Sequence, residues 1–285
     1  MSLWLNKFTP IKKPEIVLEI PQPNTPEWNK CIKKLADSIR DKEVISSKPN
    51  KVAVIVEPRD TPVLYDLLVW MKYILLPHGW QIIVYSGTNN TEKLQAIKGI
   101  TVKNMGKRNI SVNEYNDMCL SKSFWEEMPF ENILIFQIDS VLLDGDLTEF
   151  LEYDYVGSPW NKNGGYVQHL FANLTFLNKN YVGASSKKPT KHITGNGGLS
   201  LRRKSGMIRG LQVRPGKFIA EDKFFSMKRA GILNVAPPEV STNFGTESIY
   251  NPTTLGYHKP WLYLTEDEMK LIYKRISLLS NSLSS

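Results

Sequence analysis

Asp139 stands three residues beyond the end of a short apolar run, Asn132–Phe136, after Gln137 and Ile138. An acid at the carboxyl end of a buried strand can hold a divalent cation, which in turn holds a phosphate. Asp139 thus reads as the metal-side residue of a nucleotide-sugar site; the alternative is a loop carboxylate bonded to backbone N–H groups. Asp144 and Asp146 follow in what reads as a surface turn. The adjacent acids Glu221 and Asp222 precede Phe224 and Phe225. A carboxylate half-buried beside those rings would have a raised pKa, suited to taking a hydroxyl proton. Acids are also favoured in the first turn of a helix, and the two readings are compatible. His258 and Lys259 can complete a metal shell and neutralise a diphosphate leaving group, although a lone histidine is more often structural.

Other residues offer binding rather than reactivity. Glu57 and Arg59 close the apolar run KVAVIVE and lie where a base or ribose could be held; Arg59 serves a surface ion pair equally well. Trp160 offers a flat platform for a sugar ring, or a core side chain. In Gly195-Asn196-Gly197-Gly198 the missing Cβ atoms let a sugar or diphosphate lie against backbone N–H groups, or simply make a tight turn. Asn196 can bond sugar hydroxyls. Of Arg202 and Arg203, which alternate in direction, at most one should face the site.

These residues need a scaffold, and the pattern predicts an α/β one. Lys51–Glu57 reads as a strand, and Thr61-Pro62 starts a helix with an apolar stripe at Leu64, Leu67, Leu68, Met71 and Leu75. His78-Gly79-Trp80 turns into a second strand, Gln81–Tyr85. This βαβ unit implies a parallel sheet with helices on its faces. Ser111 and Glu114 have capping-box spacing, as do Thr265 and Glu268. Tyr153–Val156 reads as a short strand with a bend at Gly157, and Asn161–Tyr166 and Ala184–Thr190 as loops. Val235–Val240 reads as a short segment, and Asn243–Thr254 as mostly loop. Thr25-Pro26 caps a helix to about Arg40, an appendage on the core, behind a proline-bearing arm. The tail NSLSS is expected to fray. The expected divisions are 1–45 (arm and helix), 46–262 (catalytic domain) and 263–285 (final helix and tail).

Composition narrows the function classes. With 285 residues, 41% apolar and 22% charged, the chain has material for a full core, and its net charge of +8 favours anionic partners. There is no zinc-finger spacing, dense basic helix or paired aromatic strand motif, so nucleic acid is not an expected partner. GxGxxG, GxxxxGK[ST] and GxSxG are absent, which disfavours Rossmann, P-loop and serine-hydrolase sites. No apolar run is long enough for a membrane span. Cys31 and Cys119 read as free thiols, Cys119 packed rather than nucleophilic, which points to a reducing compartment and a cytoplasmic location.

With these residues in place, the chain resembles, from Val52 to Trp261, a family of glycosyltransferase-like proteins (domain of unknown function 5672) found in bacteria, fungi, algae and large DNA viruses. The resemblance rests on VAVIVEPR, SKSFW, LIFQIDSVLL, YDYVGSPW, GNGGLSLR, AEDKFF and GYHKPW, in that order. It implies a GT-A-like fold, a mixed, mainly parallel sheet flanked by helices. It also implies a Mn²⁺- or Mg²⁺-assisted transfer of sugar from a UDP- or GDP-sugar to a hydroxyl of a glycan, protein or small-molecule acceptor. Gln137-Ile138-Asp139 matches the family's DxD position, with Gln137 contributing no charge. By the same resemblance His258 is the late metal ligand, Gly197 and Gly198 the glycine turn, and Asp222 the base of an inverting transfer. Glu221 is then a substrate contact. A retaining transferase, or an idle nucleotide- or sugar-binding or virion structural protein, is the alternative. For a viral chain the location would be the host cytoplasm or the virion.

Overall fold

The computed structural model describes residues 24–160, 193–212, 220–228 and 231–284. The expected arm and the loops Asn161–Tyr166 and Ala184–Thr190 lie outside these residues, apart from Asn24. The organising unit is the expected βαβ: β1 (Lys51–Glu57), α2 (Pro62–Leu75) and β2 (Trp80–Ser86), with α1 (Pro26–Ile39) ahead of it. Gly79 makes the turn into β2 at φ 76°, a left-handed conformation that glycine adopts without strain. Thr25 caps α1 by accepting from the Trp28 amide, whereas Thr61 makes no side-chain cap bond to α2.

After α3 (Thr91–Gln95), β3 (Ile100–Asn104) adds to β2, and α4 (Val112–Cys119) begins with the full Ser111/Glu114 capping box. Then come α5 (Lys122–Glu126), β4 (Asn132–Phe136), β5 (Ser140–Leu142), β6 (Tyr155–Gly157) and β7 (Pro159–Trp160). The second half supplies β8 (Ile193–Thr194), β9 (Leu199–Arg203), α6 (Lys204–Gly210) and a short helix α7 (Glu221–Lys223) that continues as a π turn to Lys228. It ends with α8 (Pro238–Phe244), β10 (Gly245–Thr246), β11 (Gly256–His258) and α9 (Glu266–Ser284).

The central sheet runs β3-β2-β1-β4-β9-β6. The first four strands are parallel, β9 is antiparallel to β4, and β6 is antiparallel to β9. The fold is therefore a mixed α/β sheet, mainly parallel, flanked by helices. Strand residues alternate between two cores, as a pleated strand buried on both faces must. Ala53, Ile55, Ile82, Val84, Leu134 and Phe136 join α1, α2 and α9 on one face. Val52, Val54, Ile83, Ile133 and Ile135 join Phe124, Trp125, Met207, Phe224 and Phe225 on the other. No helix among the described residues is long and apolar enough to cross a membrane.

The short segment after Val235 leads into α8, and Asn243–Thr254 is mostly loop, as expected, after the end of α8 and the two-residue β10. Three expectations are corrected. Gly157 makes no bend: it sits within β6, where a Cβ would overlap the Asn196 carbonyl of the neighbouring segment. The last helix does not fray at NSLSS. It runs to Ser284, with Ser280 buried and donating to the Lys34 carbonyl of α1 and Leu283 packed on the core. Finally, α1 is no mere appendage: Trp28, Ile32, Leu35 and Ile39 lie in the same core as the sheet.

Candidate functional site

The carboxyl ends of β1 and β4 open into a cleft of about 610 Å³, within the range of roughly 300–1,000 Å³ usual for small-molecule sites. The residues that the sequence assigns to catalysis or to donor and metal binding all line it: Glu57, Arg59, Gln137, Asp139, Trp160, Asn196, Gly197, Gly198, Glu221, Asp222, His258 and Lys259. Topology explains the convergence. The turn after β4 feeds β5, which pairs antiparallel with β11, setting Ser140 opposite His258 and bringing Lys259 back to Asp139. The Lys259 amide donates to the Asp139 carbonyl at 3.1 Å, and Lys259 takes a left-handed φ of 45° to do so.

Asp139 is buried, with Oδ2 3.0 Å from the Lys259 ammonium and Oδ1 3.3 Å from His258 Nε2. Burial alone would raise its pKa, but Lys259 and His258 outweigh that and hold the carboxyl well below the usual carboxylate range. Burial likewise pulls His258 and Lys259 down, and the Asp139 charge more than restores both. His258 Nδ1 lies 3.1 Å from Glu247 Oε1. Glu247 is buried and also accepts from Asn196 Nδ2 at 2.7 Å and Trp160 Nε1 at 2.6 Å. This hub was missed in the sequence, because Glu247 sits in a polar stretch with no motif around it.

Whether these residues suit a cation can be tested on the donor atoms. Among the described residues no three His, Cys, Asp or Glu side chains are grouped as metal ligands. Yet Asp139 Oδ1 is a buried oxygen that meets only the long 3.3 Å contact from His258 Nε2, and Gln137 Oε1 lies 3.4 Å from the same nitrogen. A weakly engaged carboxylate oxygen, an imidazole nitrogen oriented by a carboxylate behind it and an amide oxygen would suit a partial shell for Mn²⁺ or Mg²⁺. Phosphate oxygens would have to complete it.

The acidic pair is divided by its surroundings. Glu221 is buried and gripped by both terminal nitrogens of Arg202, which is itself fully buried. The Arg202 guanidinium lies 5.0 Å from the Tyr155 ring centroid and 5.5 Å from that of Trp125, and the Asn116 side chain accepts the Glu221 amide at 3.0 Å. Arg203 points away, so the alternation holds, but the inward arginine serves Glu221 rather than ligand. Asp222 is half-buried, and its Oδ1 accepts the Lys223 amide at 2.7 Å. Burial, then the Glu221 charge, push its pKa up to about 7.

Two binding expectations take a different form. The Glu57 carboxylate accepts from Arg59 Nε and Nη2, each at 2.7 Å, and from the Arg59 amide, so it holds Arg59 in place at the cleft wall. The glycine turn makes room for protein rather than for ligand. A Cβ on Gly198 would overlap the His258 imidazole, and one on Gly197 would overlap the Glu221 carboxylate. The Gly198 amide is already bonded to Asn196 Oδ1 at 2.9 Å.

No curated protein matches this sequence. Among solved structures, A197 from STIV aligns at 13% identity and a TM-score of 0.30, covering 65% of this chain and 80% of its own. HddC from Yersinia pseudotuberculosis aligns at 14% identity and a TM-score of 0.36, covering 65% of this chain and 88% of its own. At these values neither likeness defines a shared fold. One family model, that of a protein of unknown function, matches residues 99–258, from the start of β3 through His258. By that match over more than half its length, the chain belongs to the DUF5672 family.

Proposed function

We propose that the chain is a glycosyltransferase of GT-A-like fold, moving a sugar from a UDP- or GDP-sugar to an acceptor hydroxyl with inversion. The observation that carries this reading is the sharing of one cleft by a cationic cluster around Asp139 and a carboxyl poised near neutrality at Asp222. The parallel order β3-β2-β1-β4 followed by antiparallel β9 supports the fold assignment. The two free thiols, Cys31 and Cys119, favour a reducing, cytoplasmic setting.

Arg59 and Lys259 face the diphosphate and Trp160 the sugar, while Asn196, engaged by Glu247 and the Gly198 amide, braces the Glu247 hub behind them. Asp139 and His258 would hold Mn²⁺ or Mg²⁺, whose charge would offset that growing on the departing diphosphate. Asp222 takes the acceptor proton at Oδ2, the oxygen not engaged by the Lys223 amide. As the acceptor oxygen bonds to the anomeric carbon, the bond from that carbon to the β-phosphate oxygen breaks, and Lys259 receives the released charge. No covalent protein intermediate is needed, so orientation and electrostatics supply most of the rate.

Calorimetric titration of UDP- and GDP-sugars with and without Mn²⁺, followed by NMR of the product anomer, tests the proposal. Asp139→Ala should abolish metal-assisted donor binding. Asp222→Asn should keep donor affinity and lower transfer by roughly 10²–10⁴-fold. Failure of every nucleotide sugar to bind, or full turnover by Asp222→Asn, overturns it.

A further inference from the structure

A second cleft, of about 720 Å³, opens at the other end of the sheet, where the parallel strands begin. Lys48 approaches it from the segment before β1, Lys72 from the last turn of α2, and Lys98 from the turn before β3. Its apolar wall includes Leu76, Ile100 and Phe130, with Trp80 at the start of β2. No aspartate or glutamate lines it. Among the described residues none of the three lysines has a carboxylate partner, whereas Lys33, Lys93, Lys103, Lys107, Lys122 and Lys270 each have one. A fourth ammonium, that of Lys51, lies 5.6 Å from the Trp80 ring centroid.

Three lysines and no acid line this hollow, in a chain that has 28 acids with which to pair them. Lys72 is half-buried, and burial lowers its pKa. An anion seated in this cleft would offset the burial of the Lys72 charge and meet no competing carboxylate in the lining. We propose that this cleft is a second binding site, selective for a compact polyphosphate anion and separate from the candidate active site. Several ammoniums around one hollow suit a ligand that carries several charges close together, as linked phosphates do. The inference stands independently of the glycosyltransferase reading.

The test is a titration of the full chain, its lysines ¹³C-methylated, with inorganic tripolyphosphate at about 0.15 M salt. We expect saturable shifts at Lys48, Lys72 and Lys98 with midpoints below about 1 mM. Lys72→Gln/Lys98→Gln should weaken that binding at least tenfold and leave the Lys259 response unchanged. All these side chains are at the surface or half-buried, so the variant should fold, and its melting curve checks this. Non-saturating shifts overturn the proposal, as does an equal loss in the control Lys122→Gln/Lys270→Gln. So does binding confined to Lys259.

Discussion

Glu221 and Asp222 are chemically alike and adjacent, yet one is locked in an ion pair and the other has a raised pKa. The difference is Arg202, whose guanidinium neutralises Glu221 while Asp222 keeps only the Lys223 amide on Oδ1. In the unfolded chain an aspartate ionises near 3.9, and in the folded site Asp222 does so at about 7. A carboxyl with a raised folded pKa lends stability that is complete below about pH 4 and lost as pH climbs to 7. Asp222→Asn should therefore melt at higher temperature than wild type at pH 8, by the equivalent of roughly 2–4 kcal/mol, and match it near pH 4. Calorimetry at the two pH values checks this. Transfer, which needs the ionised base, should rise through pH 7. Arg202→Met, which leaves Glu221 charged, should move that midpoint up, and Glu221→Gln should move it down. Each shift should be about one pH unit, and the double variant should return near wild type. Shifts of the same sign in both single variants would remove Arg202 from the account.

At the scale of elements, the glycine turn before β9 interlocks three segments distant in sequence. Gly198 admits the His258 ring from β11, Gly197 admits the Glu221 carboxylate from α7, and Asn196 binds Glu247. Gly198→Ala should drive His258 off its contacts with Glu247 and Asp139, lowering donor affinity at least tenfold. Gly231→Ala, with nothing within 4 Å of the added Cβ, should be silent. Titration of both variants checks the pair. This turn also marks where reading the sequence ran out. Three glycines in four residues announced a close approach, but what approaches comes from some 60 residues away, and local spacing cannot name it. Signals confined to a few residues were legible: the apolar run of β1, the stripe of α2, the Ser111/Glu114 box and the acid after β4. Glu247 was not, because its role depends wholly on the strand pairing that delivers His258. The extent of α9 was hidden for the same reason: serines fray in isolation, but here one is buried against α1.

For the molecule as a whole, the helix ahead of the sheet supports both halves of the cleft. Asn24 Nδ2 donates to the carbonyl of Ile138 at 2.9 Å, bracing the turn that carries Asp139. One turn later, the Trp28 ring meets Tyr257 edge-on at 6.4 Å and Trp261 at 5.1 Å, on either side of His258 and Lys259. The strands set where these segments emerge, and α1 holds their tips in register. A site whose cation shell needs Asp139 Oδ1 and His258 Nε2 at a fixed separation should feel the loss of that brace before the fold does. Asn24→Ala removes two hydrogen bonds, to the Ile138 carbonyl and to Asn29 Oδ1, costing about 1–2 kcal/mol of stability. It should weaken Mn²⁺-assisted donor binding several-fold while moving the melting temperature by only a few degrees. Ser38→Ala, which deletes a hydroxyl bonded within α1 itself, should match it in stability and leave donor binding intact. If both variants bind donor like wild type, α1 is only a covering layer on the core. If Asn24→Ala alone is weakened, the segment leading into α1 is part of the binding apparatus, and the boundary of the functional unit lies ahead of β1.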